Sequence, residues 1–153
     1  MRSERPLPSA IVHGGLVALR LGGRWRGVLI LGPSGAGKSD LALRALDEGF
    51  RLVADDRVAV WTSGGALYGR APYPLRGLIE ARGHGVITES PVAFAEIVLA
   101  ARCLEATQVI ERMPAPEAET IAGTSVPLCR LDPREASAPA KLRRALLHLG
   151  HRP

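Results

Sequence analysis

Aromatic side chains are scarce in this 153-residue chain, with two Phe, two Trp and two Tyr. Six rings leave little for a base-stacking platform, and the arginines are scattered and match no nucleic-acid motif, so nucleic acid is not an expected partner. Cysteine is almost absent as well. Cys103 and Cys129 stand far apart, with no CxxC or Cys/His spacing around them, which argues against a zinc site or a disulfide framework and for two reduced thiols. No apolar run is long enough to span a bilayer, and Met1 to Ala10 carries charges and prolines where a signal peptide would have its apolar core. No membrane association is expected, and the chain reads as soluble and cytoplasmic. Lysine is the last shortage: of 20 basic residues only Lys38 and Lys141 are lysine.

One of those two lysines lies in Gly32-Pro33-Ser34-Gly35-Ala36-Gly37-Lys38-Ser39, which fits G-x-x-x-x-G-K-[ST] at every fixed position. Arg26 to Leu31 upstream reads as a buried strand. Asp40 to Glu48 downstream reads as a helix with Leu41, Ala42, Ala45 and Leu46 on one face and Gly49 as its C-cap. Strand, loop and helix follow in the order a P-loop requires. A polyphosphate must be wrapped by backbone N–H groups, which glycine permits by close approach, and the helix start adds its unsatisfied donors and positive dipole end. Lys38 is then placed for the β- and γ-phosphates of ATP and the Ser39 hydroxyl for Mg²⁺. The net charge of +5 suits a phosphate-rich ligand or an acidic partner.

The rest of the chain reads as one compact P-loop domain over residues 1–153, with residues 1–10 as a loose lead-in. Leu16 to Arg20 and Trp25 to Leu31 form a hairpin around Gly22-Gly23, and Arg51 to Ala54 is a short buried strand ending in Asp55-Asp56. Val58–Trp61 and Ala66–Gly69 read as a second hairpin. The section from Arg70 to Pro91 reads as loop-rich, Phe94 to Ala101 as a strand in preference to a helix, and residues 108–129 as one or two strands broken by the polar stretch 114–119. Ser137 is expected to cap a last helix with Leu142, Ala145, Leu146 and Leu149 on one stripe, Gly150 as its stop, and Lys141, Arg143 and Arg144 on the solvated side.

P-loop enzymes hold Mg²⁺ or its water with an acidic group at a strand end, and either Asp55 or Asp56 could supply it. Neighbours on an extended segment point to opposite sides, so one carboxylate is expected to face the phosphates and the other to turn away. A carboxylate near a hydroxyl acceptor can take the proton released as oxygen attacks phosphorus.

The acidic strand here comes only 17 positions after Lys38, directly after the P-loop helix. Together with Ile11-Val12-His13-Gly14, the P-loop, Arg51 to Val58, Gly69-Arg70-Ala71-Pro72 and Ile79 to Ile87, this order and spacing resembles the catalytic C-terminal domain of HPr kinase/phosphorylase, from about residue 11 to about 132. The resemblance implies an α/β P-loop fold related to phosphoenolpyruvate carboxykinase, with a mixed sheet, a P-loop helix and a C-terminal helix. It implies an ATP- and Mg²⁺-dependent kinase of a serine in HPr, the small phosphocarrier of the sugar phosphotransferase system, with reverse phosphorolysis that consumes phosphate and releases pyrophosphate. It implies His13, Lys38, Asp55 and Arg112 as catalytic residues, Asp55 being the proton acceptor, and Ser39 and Glu80 as Mg²⁺ ligands. Asp56 is left as a further candidate for the metal. The resemblance also implies a short form without the N-terminal domain of longer members, and homo-oligomers, hexameric in many members.

Three departures stand out: that missing domain, His84 where the family usually has leucine, and Cys129 to Arg134 where a Pro-Gly-Arg-Asn run is expected. A small-molecule P-loop kinase, with Arg70, Arg76 and Arg82 on a closing lid, and a non-catalytic ATP sensor are the competing readings.

Overall fold

The computed structural model describes residues 10–150, so residues 1–9 of the lead-in lie outside the described residues. The strands are β1 (Ala10–His13), β2 (Gly15–Leu21), β3 (Arg24–Leu31), β4 (Arg51–Ala54), β5 (Arg57–Ser63), β6 (Ala66–Arg70), β7 (Leu78–Ala81), β8 (Gly85–Thr88), β9 (Ala95–Cys103), β10 (Glu117–Ile121) and β11 (Thr124–Leu131); the helices are α1 (Lys38–Leu46) and α2 (Ala138–Ala145). A mixed nine-stranded sheet runs β1-β5-β6-β9-β3-β2-β4, with β11 also on β9 and β10 on β11, while β7 and β8 pair separately.

The β2–β3 hairpin turns on Gly22 and Gly23, at φ 59° and 77°. Two successive residues at positive φ match the right-handed strand twist. Strand β9 is the axis of the sheet. It lies parallel to β3 along one edge; on its other edge β6 pairs with Ala95 and Glu96, and β11 pairs in parallel with Ala100 to Cys103. Strands β3, β9 and β11 therefore end together, which gathers the P-loop, Leu104 and Asp132 at one end of the sheet.

Both faces of the sheet are buried, as the near-continuous apolar runs of β2 and β3 require. Val17, Leu19, Val28 and Ile30 face the helices, packing with Leu41, Ala42, Ala45, Leu142 and Leu146. Leu16, Ala18, Leu29 and Leu31 point the other way, against Val58, Val60, Leu67 and Ile97. Helix α1 ends as Gly49 enters the left-handed region at φ 90°, with the Phe50 N–H bonded to the Ala45 carbonyl at 3.2 Å. Arg143 of α2 donates to the Glu48 carbonyl at 2.7 Å, so it closes the C-terminal end of α1 and is not simply a solvated residue.

Several local expectations are corrected. The P-loop helix starts two residues earlier, at Lys38. The section 70–91 is not all loop: Ile79 and Ile87 face each other across the β7–β8 hairpin. The polar stretch 114–119 is not a break, because β10 starts at Glu117 and pairs with β11, and residues 104–116 form the connection. Ser137 occupies the N-cap position of α2 but its side chain makes no capping bond. The stripe holds at Leu142 and Leu146, both fully buried, and at half-buried Ala145; the side chain of Leu149 lies outside the described residues. Backbone continues past α2 as a wider turn, Leu146–Gly150. Among the described residues no helix is long and apolar enough to cross a membrane.

Candidate active site

The P-loop leaves β3 at Gly32 and enters α1 through Gly37, whose φ of 101° is a left-handed conformation that a side chain would strain. Its back is braced by the turn after β11. Arg44 donates to the carbonyls of Pro133 and Glu135, and the Pro133 ring lies against Gly37. Arg44 is itself held by Asp40, one helical turn earlier, at 2.9 Å.

Lys38 is folded over the loop it follows. Its Nζ donates to the carbonyls of Gly32 at 2.8 Å and Pro33 at 2.9 Å, so two of its three N–H donors are committed to the loop. The Ser39 hydroxyl donates to Asp55 Oδ1 at 2.8 Å. That fixes the single hydroxyl proton on Asp55 and leaves the oxygen lone pairs for a cation. Asp55 Oδ2 accepts the backbone N–H of Glu80 at 3.1 Å, tying the end of β4 to β7. Asp55 is the one buried charged residue among the described residues, at 6 % exposure. A carboxylate so placed is tolerated because hydrogen-bond donors replace its water.

A cavity of about 250 Å³ opens over this arrangement, with Lys38, Ser39, Asp55, Asp56, Glu80 and Arg82 in its wall. The two aspartates differ in setting. Asp56 sits at φ 68°, which breaks the extended alternation, and both residues line the same cavity. Asp55 is buried and doubly bonded, whereas the Asp56 side chain is 72 % exposed. The Asp56 carbonyl also accepts the Gly14 N–H at 3.1 Å. Gly14 is needed where it is: a Cβ there would stand 2.4 Å from the Ile30 carbonyl oxygen.

The structure brings Lys38, Ser39, Asp55, Asp56 and Glu80 together with Ser34, Gly35 and Gly37 of the loop. Gly32, Pro33 and Ala36 complete the loop, Pro33 and Ala36 facing a second hollow on its opposite flank beside Leu104 and Arg134. His13, exposed at the end of β1 and paired with Arg57, stands next to Gly14 at the cavity rim. Arg112 is not brought to the cavity; it is exposed on the connection between β9 and β10. No ion pair within 4.0 Å joins Glu80 to Arg82 among the described residues, and both residues contribute to the cavity wall. Of the three arginines offered for a closing lid, Arg82 lines this cavity; Arg44 as the brace of the loop was not legible beyond its i,i+4 spacing from Asp40.

Within β11, Arg130 is committed to Glu117 through Nε and Nη2, both at 3.0 Å, and just beyond the strand Arg134 is committed to Asp132 through Nε at 2.9 Å. Each pair lowers the carboxyl below and raises the guanidinium above its usual range, by side-chain hydrogen bonding. Cys103, whose Cβ and carbonyl crowd Gly32, and Cys129 are both free thiols, and burial pushes each up to about 11.

The family model described as HPr Serine kinase C-terminal domain matches residues 7–105, more than half of the chain. The chain belongs to the HPr serine kinase C-terminal domain family. The matched range contains His13, the P-loop, the two aspartates and Glu80, and ends before Arg112. Among curated relatives, the HPr kinase/phosphorylase of Clostridium tetani is 43 % identical over 84 residues, 55 % of this chain and 26 % of that protein. That of Limosilactobacillus reuteri is 46 % identical over 88 residues, 57 % and 26 % respectively. The matches thus span about a quarter of the curated relatives. The solved HPr(Ser) kinase/phosphatase of Coxiella burnetii superposes with a TM-score of 0.76 at 24 % identity, covering 90 % of this chain and 94 % of that one, a likeness of fold. The chain accordingly has the family's P-loop fold, a mixed curled sheet with a P-loop helix and a C-terminal helix.

Proposed function

We propose that this chain is the catalytic unit of an ATP- and Mg²⁺-dependent protein kinase that phosphorylates a serine of the phosphocarrier HPr in the cytoplasm, and that the same site can run the reverse phosphorolysis. The observation that carries the reading is Asp55, a buried carboxylate in the wall of the P-loop cavity, bonded to the P-loop serine on one oxygen and to the Glu80 N–H on the other. The family membership and the naming of the relatives as HPr kinase/phosphorylase support the acceptor.

The donor set fits Mg²⁺. Ser39, Asp55, Asp56 and Glu80 in the cavity wall offer only hard oxygen donors, and no three His, Cys, Asp or Glu residues among the described residues converge as a cage. Mg²⁺ is commonly held by one or two protein oxygens with substrate phosphates and water completing its shell. Ser39 and Glu80 would hold it, with Asp56 within the same cavity. When bound, it supplies positive charge to the β- and γ-phosphates as charge shifts during transfer.

The chain's own groups do the rest. The P-loop N–H groups and Lys38 hold and orient the polyphosphate, and the α1 N-terminus adds its positive end. A carboxylate has about four acceptor positions, and Asp55 commits two. A free one takes the proton of the attacking seryl hydroxyl while the seryl oxygen bonds to the γ-phosphorus and ADP departs with the bridging oxygen. In reverse, inorganic phosphate attacks phosphoserine, Asp55 returns the proton to the seryl oxygen, and pyrophosphate leaves. His13 at the rim and Arg82 in the wall are placed to meet an incoming acceptor or its charge.

The test is mass spectrometry of HPr after incubation with the chain, ATP and Mg²⁺. One added phosphoryl group on a serine supports the reading. An unmodified HPr from chain that binds nucleotide refutes the acceptor, and ATP turnover with a small hydroxyl compound in its place would favour the small-molecule kinase.

A further inference from the structure

Four of the six aromatic residues of the chain gather at the end of the sheet remote from the P-loop. Trp61 stacks on Tyr68 with centroids 5.8 Å apart, and Phe94 meets both at 6.2 Å. Trp25 stands nearby at the start of β3, with the Arg51 guanidinium 5.7 Å from its ring centre. Between these groups lies a cavity of about 610 Å³, walled by Arg24, Trp25, Arg51, Tyr68, Phe94 and Glu96. That volume is in the range of ordinary small-molecule sites. From Trp25 to Gly32 the strand rises about 20 Å, so this cavity and the P-loop are separate places.

Its charge is unbalanced. Glu96 is the single carboxylate in the wall and already faces Arg26 at 3.9 Å. Arg26 is itself under-satisfied, with its buried Nε lacking a partner. Against Glu96 stand Arg24, which has no ion pair among the described residues, and Arg51, fixed by its stack on Trp25 and by donating to the Ser90 carbonyl at 2.9 Å. One donor of five is used there, so a pre-oriented guanidinium remains for a ligand. Phe94, 53 % exposed, holds an apolar face open to water beside these cations.

We propose that this cavity is a second binding site, for a small planar anion: an aromatic or heteroaromatic ring bearing a carboxylate, sulfonate or phosphate. The ring would lie against Trp25, Tyr68 and Phe94, and the anionic group would meet Arg24 and Arg51. Aromatic walls reward a planar ring beyond the area it buries, and a guanidinium fork rewards a two-oxygen anion. The site needs no part of the kinase reading to exist.

The test uses two dyes of similar ring system, the anionic 8-anilinonaphthalene-1-sulfonate and the neutral N-phenyl-1-naphthylamine, followed by fluorescence on the full chain. The anionic dye is expected to bind saturably at one site, unaffected by Lys38→Ala, which removes the P-loop's phosphate lysine. Arg24→Glu, a change at the exposed first residue of β3, should weaken it about tenfold, the worth of one charge-assisted contact, and leave the neutral dye unchanged. Phe94→Ala should weaken both. Circular dichroism of each variant checks that the fold is kept. The proposal is overturned if the anionic dye shows no saturable binding, if Lys38→Ala abolishes it, or if folded Arg24→Glu binds it as tightly as the unaltered chain.

Discussion

Replacing Asp55 with asparagine separates the structural from the chemical role of that side chain. In the native site Oδ1 accepts from Ser39 and Oδ2 from the Glu80 N–H. The backbone N–H cannot turn round, so the asparagine oxygen must face Glu80 and its NH₂ must face Ser39. The serine hydroxyl can rotate and accept, so both contacts survive as neutral hydrogen bonds. Each loses the extra strength of a charged acceptor, about 1 kcal/mol, or about 2 kcal/mol in all. For a chain of this size that is a fall in Tm of about 4–8 °C, which leaves the protein folded. The chemistry fares worse. The base is gone, and the Ser39 lone pair that faced the cation site is spent on the new NH₂. Turnover should fall roughly 10²- to 10⁴-fold, the range for a positioned base, with nucleotide affinity little changed. Thermal unfolding, nucleotide titration and the rate of HPr phosphorylation measure the three quantities. The reasoning is refuted if folded Asp55→Asn keeps turnover within tenfold of the unaltered chain, or if Asp56→Asn is the more damaging of the two.

The other expectations are more direct. Lys38→Ala should abolish transfer and strongly weaken ATP binding, and near-native turnover would remove the lysine from the phosphate site. Gly14→Ala drives a methyl group into the Ile30 carbonyl and should cost about 2 kcal/mol in urea unfolding, with an unchanged midpoint counting against the observed packing. Because burial raises Cys103 and Cys129 to about 11 from an ordinary 9.0, their contribution to stability is whole below pH 9 and is lost as pH rises from 9 to 11; folded protein should resist iodoacetamide at pH 8 and stability should decline across that window. With Arg130 committed to Glu117 and Arg134 to Asp132, where the family carries its Pro-Gly-Arg-Asn loop, the reverse reaction is expected to lag the forward one; comparable efficiencies of pyrophosphate release and HPr phosphorylation would contradict this.

Much of the site was legible because a P-loop is local: glycines, lysine and serine at fixed spacing next to a strand and a helix specify their own geometry. The short strand ending in two acids was equally plain, since Leu52, Val53 and Ala54 form an uninterrupted apolar run. What could not be read was how Asp55 and Asp56 divide the work, because one left-handed residue interrupts the extended backbone on which the alternation rule rests. The β7–β8 hairpin was hidden by its four-residue strands, too short for periodicity to register. The polar face of β10 masked a strand that exists by pairing with β11 and by the ion pairs its glutamates make with Arg102 and Arg130, contacts that no local pattern encodes.

The position of β9 has a consequence for how the chain acquires its shape. Arg26 and Glu96 are paired neighbours yet stand 70 positions apart, and the same strand must also receive β6 and β11. Hairpins such as β2–β3 and β5–β6 close over two-residue loops and can form early, but the parallel junction waits on a long loop closure, the slow kind of event in folding. Until β9 arrives, β3 has one open edge, and the crowding of Gly32 by Cys103 cannot exist. Emergence from the ribosome therefore delivers the P-loop residues long before the strand that seats them, and a nascent chain gains a well-formed phosphate cradle only once β9 is available.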